Sequence, residues 1–203
     1  MDAVRVALLR EVLAGTEWLQ ATRRFAGALR KSVGTRDGGL LLLGTAEYEP
    51  WHLAAHLDEE AARSGLPELS PTLVRHRVPP AVPAHLSVGL GRLRAAGRGE
   101  TLLVVLARTG AEPGAELLER VQDVRRGGAT VLALDGAPEG VHQEMRALAH
   151  DALSVPPSAE PDFSLVQHLL SATAGEPAPS GRRFRDQLAR LAEELTAAPP
   201  NRW

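Results

Sequence analysis

The stretch TLLVVLARTGAEPGAELLERVQDVRRGGATVLALDG, residues 101–136, decides the fold. It opens on a run that is apolar from Leu102 to Ala107, short enough for a strand and bounded by turn residues. A run apolar on every position is a strand buried on both faces. Arg108-Thr109-Gly110 then turns the chain. Pro113 sits at the first turn of an amphipathic segment that Gly127-Gly128 ends, which is the asymmetry expected of a helix. Residues 130–136 repeat the buried-strand pattern. Strand, helix and parallel strand make one βαβ unit, and its turn is where such units bind anions at a helix N-terminus. Glu112 stands at that end of the helix, where an anion would be repelled unless a cation such as Arg108 neutralises it.

Working outward, the same alternation continues. "LLLLG" (40–44) is a second doubly buried strand, and "WHLAAHLDEEAARSG" (51–65) a helix stopped by Gly65. Residues 71–79 read as a weaker strand near a sheet edge, because polar residues alternate there. Residues 84–96 carry leucines at helical spacing, residues 140–150 read as a surface helix, and 152–156 and 162–174 as a last strand and helix. Residues 2–33 are helical in pattern, broken at Gly15-Thr16. The expectation is an α/β three-layer sandwich with a five-stranded parallel sheet in flavodoxin-like order, preceded by N-terminal helices. The domain spans 1–174. Residues 175–203 form a linker and an amphipathic helix with Phe184, Leu188, Leu191 and Leu195 on one face, folded back on the domain or docking a protein partner.

Composition limits the function. The chain has 203 residues, 44% of them hydrophobic, enough for one compact domain. Its formal net charge of −2 gives no general affinity for nucleic acid, and its basic residues are all arginine except Lys31. It has no cysteine, which excludes disulfides, thiolate metal sites and thiol catalysis. No apolar run approaches the roughly 20 residues of a membrane span, and the N-terminal stretch has no signal-peptide pattern. The expectation is a cytoplasmic protein. No GxGxxG or GxxxxGK[ST] motif follows a strand, so dinucleotide and P-loop sites are not expected.

Several stretches in this order resemble the SIS (sugar isomerase) domain, in its phosphoheptose isomerase and DnaA-initiator-associating branch. They are "GGLLLLG", "HLAAHLDEEAARSGLPEL", "AAGRGETLLVVLARTG", "RRGGATVLALDG" and "ALAHDALSVPPS", covering roughly residues 16–174. The resemblance implies a five-stranded parallel sheet, homodimers or homotetramers, and a phosphorylated sugar bound by two Ser/Thr-rich turns. On this chain those turns are Gly44-Thr45 and Arg108-Thr109-Gly110, with Ala107 and Glu112 standing where the family has serines. Glu47 and Glu49 add negative charge to the first turn.

The resemblance also places His52 on a family histidine and His56 where the family's catalytic glutamate sits. Counting without gaps puts Ala172 at the family's catalytic histidine and Ser164 at its glutamine, with His168 one helical turn before Ala172. The expected function is therefore a SIS-type module with little or altered catalysis. It binds a phosphorylated sugar derivative or serves as an oligomeric regulatory scaffold, and requires no cofactor. The alternative is an aldose–ketose sugar-phosphate isomerase with rearranged groups, His56 as base and His168 as its partner. His52 and His56, four apart on one helix, can share a metal, with His168 or Glu47 as third ligand. Zinc is the ion that the resemblance suggests. His142 and His150 read as solvated.

Overall fold

The computed structural model describes residues 17–34, 38–108, 112–155 and 162–176. The expected first helix, the residues Thr109 and Gly110, and the expected C-terminal helix lie outside them.

The described chain alternates helix and strand. Helix α1 is Glu17–Val33, strand β1 Leu40–Leu43, helix α2 Trp51–Ser64 and strand β2 Pro71–Val74. Two short 3-10 helices, Ala84–Leu86 and Leu90–Ala95, lead to strand β3, Thr101–Leu106. Then follow α3 (Ala115–Arg126), β4 (Thr130–Asp135), α4 (Gln143–Leu148), β5 (Asp151–Ser154) and α5 (Phe163–Ala174). All five strands are parallel, in the order β2-β1-β3-β4-β5. This is the flavodoxin-like order, and its switch point falls between β1 and β3.

The apolar-everywhere strands dictate the layers. Successive side chains leave opposite faces of a strand, so β1 sends Leu40 and Leu42 to one core, and Leu41 and Leu43 to another. The first core is closed by α1, α2 and α5, through Phe25, Leu29, Leu53, Leu57, Val166 and Leu170. The second is closed by α3 and α4, through Leu117, Val121, Val124 and Met145. Each leucine so enclosed contributes about 1.5–3 kcal/mol relative to exposure.

Two expectations need correction. The strand begun at Pro71 ends at Val74 and not at residue 79. Arg75 makes one isolated bridge to Gly89, and its side chain turns to Glu49. Residues 84–96 are not one α-helix but two 3-10 segments. Only Leu93 among their leucines is fully buried, so there is no continuous apolar stripe to hold a longer helix against the sheet.

Two glycines are required by geometry. Gly65 ends α2 in the left-handed region (φ 68°), and the next amide, of Leu66, returns to the Ala61 carbonyl at 3.1 Å. Gly44, at the end of β1, is where a Cβ would stand 1.9 Å from the Tyr48 carbonyl oxygen.

Candidate functional site: a histidine cluster at the carboxyl edge of the sheet

Helix α2 leaves the carboxyl end of β1 and packs beside α5 on the first core. Leu53 and Leu57 point into that core. His52 and His56, each one residue earlier, therefore share the neighbouring face of α2. On α5, Val166, Leu169 and Leu170 are buried around His168. The packing of the two helices brings the three imidazoles together. Ring centroids lie 5.0 Å apart for His52–His56, 5.2 Å for His52–His168 and 4.3 Å for His56–His168. One ring nitrogen from each residue lies within 4.8 Å of the others.

Two of the three imidazoles, His56 and His168, are pushed toward neutrality. Burial pushes the His56 imidazole below its ordinary value, and His52 adds to that, while Glu59 pulls the other way. Burial does the same to His168, followed by its neighbours His56 and His52. Taking an imidazolium out of water beside two others is unfavourable, and the ring sheds its proton instead. Glu59 lies 3.8 Å from His56 and is mostly solvated, too weak a partner to hold the charge. His168 Nδ1 is buried and has no hydrogen-bond partner among the described residues. A buried nitrogen left without a partner costs about 1–3 kcal/mol.

The loop from β1 to α2 ties the cluster to the rest of the carboxyl edge. The Thr45 amide donates to the Tyr48 carbonyl at 2.9 Å, and the Tyr48 amide returns to the Thr45 carbonyl at 3.3 Å. The expected first phosphate turn is therefore closed on itself, with the Thr45 N–H already used. His76 Nε2 donates to the Gly44 carbonyl at 3.1 Å. Tyr48 Oη lies 3.3 Å from the amide of Gln167, the buried neighbour of His168 on α5.

The acids of this edge are mostly spoken for. Glu49 is held by Arg75, 3.1 Å away, and by the Trp51 indole N–H at 2.9 Å. Glu112 turns its carboxylate to the Met145 amide at 3.1 Å. Arg108 pairs with Asp162, just before α5. Between the β1 and β3 loops lies a cleft of about 240 Å³, lined among others by Thr45, Glu47, His76, Glu112 and Arg120.

His142 was expected in solvent and is 1% exposed. Its Nδ1 meets Asp135 Oδ1 at 2.8 Å, and the same oxygen accepts the Ala137 amide at 2.9 Å. Helix α4 starts only at Gln143, so the residues before it fold over the end of β4 in place of a solvated helical face. His150 is exposed as expected, yet its Nδ1 accepts the Val131 amide at 3.0 Å. Tyr48, Gln167, Arg75 and the Asp135–His142 pair were all missed from sequence. Each acts through a partner distant in the chain, which no local spacing records. Only Asp135, a lone acid ending an apolar strand, carried a local signal.

No protein-family model matches the chain, and no curated protein sequence matches it. Solved structures that superpose on it include the Vibrio vulnificus NanR protein in complex with ManNAc-6P, at 14% identity over 99% of this chain and 77% of that one, TM-score 0.49. Another is the sugar isomerase domain of an RpiR transcription factor from Sphaerobacter thermophilus, at 14% identity over 86% of this chain and 87% of that one, TM-score 0.47. A third is the C-terminal domain of glucosamine-fructose-6-phosphate aminotransferase from Francisella tularensis, at 14% identity over 86% of this chain and 46% of that one, TM-score 0.42. At these identities and scores none of them says what this chain does, and the architecture stands on its own strand order.

Proposed function

We propose that this chain is a sugar-isomerase-type module that holds a divalent metal on His52, His56 and His168 and binds a phosphorylated sugar derivative beside it. The observation that carries the reading is the histidine cluster: three imidazoles from two helices, two of them pushed toward neutrality, one with a buried nitrogen lacking a partner among the described residues. Only neutral imidazole binds a metal.

The fit of the residues supports this. Tetrahedral zinc at 2.0–2.1 Å from each nitrogen sets them roughly 3.4 Å apart. The present spread of up to 4.8 Å is wider, so binding would need the rings to turn toward the ion. Three nitrogen donors without a carboxylate suit zinc, nickel or copper better than magnesium or calcium. Such an ion would supply a Lewis acid to a sugar carbonyl or hydroxyl. The chain's own residues set the place. The Tyr48–Gln167 contact anchors α5 against the loop after β1, and Leu53, Leu57 and Val166 keep the inner side dry. Arg108, Thr109 and Gly110 are the residues proposed for the phosphate, since Thr45 has already used its amide.

The isomerase reading, with His56 as base and His168 as its partner, draws on the same neutral imidazoles. It is the weaker one. Aldose–ketose isomerisation requires a base at the sugar carbons and an acid at its oxygens, each within about 3 Å of its own atom, and these two rings pack against each other.

Isothermal titration of the metal-free protein with zinc tests the proposal. Stoichiometric binding that disappears in His168→Ala supports it; no heat with zinc, nickel or copper sinks it. Thermal shifts with sugar phosphates, with and without the metal, then test the second half.

A further inference from the structure

We propose that Trp51 is a stacking platform for the ring of a sugar bound at the carboxyl edge of the sheet. This rests on the proposed sugar-binding function and adds the form of sugar selected, a closed ring over an open chain.

Trp51 opens α2, one residue before His52. Its indole is fixed from two sides. The Nε1–H donates to Glu49 Oε2 at 2.9 Å, and the Arg75 guanidinium lies 4.9 Å from the ring centroid, in cation–π range. Glu49 and Arg75 bind each other as well, through Nε at 3.1–3.2 Å and the terminal nitrogen at 3.1 Å. Three side chains thus hold one another, and the two charged ones are largely shielded, at 14% and 20% exposure. A surface tryptophan would ordinarily sample several rotamers. These two contacts favour one orientation of this ring while 40% of the residue remains exposed.

The charge balance and the area choose the occupant. Glu49 neutralises Arg75, so the pair adds no net charge beside the aromatic face. That face suits the C–H side of a pyranose, which is apolar and neutral, and does not suit the phosphate. The hydroxyl rim of such a ring needs polar partners next to the platform. Trp51 does not line the cleft of Thr45, Glu47 and His76, but the two share chain segments, the loop before Trp51 and the residue after Arg75, and under this proposal those three side chains serve the hydroxyls. A protein partner fits poorly. Trp51 and Val78 are the exposed large hydrophobic residues among those described. A tryptophan offers at most about 250 Å², against the roughly 800 Å² per partner of a stable interface.

The test compares glucose 6-phosphate with its open-chain reduced counterpart, sorbitol 6-phosphate, by isothermal titration against the zinc-loaded protein. Wild type binds the ring form more tightly. Trp51→Ala weakens glucose 6-phosphate about tenfold, a loss within the range of an aromatic stacking contact. It changes sorbitol 6-phosphate less than about twofold, and Trp51→Phe retains most of the ring preference. Zinc affinity is unchanged in Trp51→Ala, which separates this test from that of the metal centre. The proposal is overturned if Trp51→Ala weakens both sugars equally or neither. It is also overturned if wild type binds neither at millimolar concentration, or if the substitution changes the sedimentation coefficient, which would make Trp51 an interface residue.

Discussion

His56 and His168, on different helices, meet edge to face with ring centroids 4.3 Å apart. The base that moves a proton between adjacent sugar carbons and the acid that serves the sugar oxygens must each reach a different substrate atom, within about 2.6–3.2 Å. Touching rings present one side. A ketose phosphate incubated with the protein in deuterium oxide is therefore expected to gain no deuterium at C1 above background, by NMR. Exchange that vanishes in His56→Ala would restore the isomerase reading.

Burial of the two rings makes the metal-free fold acid-sensitive. Both imidazoles lie below their ordinary value, so the folded state holds fewer protons than the unfolded one. Their stabilising contribution is complete above the unfolded value of about 6.5. It is lost as pH falls through the depressed folded values. Urea midpoints should drop between about pH 7 and 5, and the drop should be shallower in the His56→Gln, His168→Gln double variant. An equal slope in both proteins would contradict the shifts.

Much of the architecture was legible because its strands leave little choice. "LLLLG" and "TLLVVLA" are apolar on every position, which only a strand covered on both faces tolerates at that length. The segment at 84–96 misled because leucine spacing looks helical even where the chain is too shallow on the sheet to bury the face. At the site, His52 and His56 were legible by their spacing on one helix. His168 joined them only through the packing of α2 on α5. His142 was misread because its partner, Asp135, ends a strand, and nothing local marks the residue that folds over it.

That buried pair gives a stability prediction. Asp135→Ala strands the His142 ring N–H and the Ala137 amide, both now served by one oxygen. Each stranded donor costs about 1–3 kcal/mol, read as a lower urea midpoint. Asp135→Asn keeps an acceptor and loses less. A Asp135→Ala protein within about 0.5 kcal/mol of wild type, the range of an ordinary surface change, would contradict the assignment.

Gly44→Ala tests whether the first turn is closed. Its Cβ would meet the Tyr48 backbone oxygen at 1.9 Å, and a backbone atom cannot swing away as a side chain can. The expected loss is about 1–3 kcal/mol or more, as for other overpacked sites. A neutral effect would mean that the Thr45–Tyr48 turn opens readily.

The central claim is tested most directly by zinc titration of the metal-free wild type and of His168→Ala at neutral pH. The expected result is one zinc per chain. In the variant, the affinity should fall by more than the roughly 10–100-fold that loss of an outer-shell partner costs. Wild type that takes up no zinc, or binds it as tightly after His168 is removed, would contradict the account.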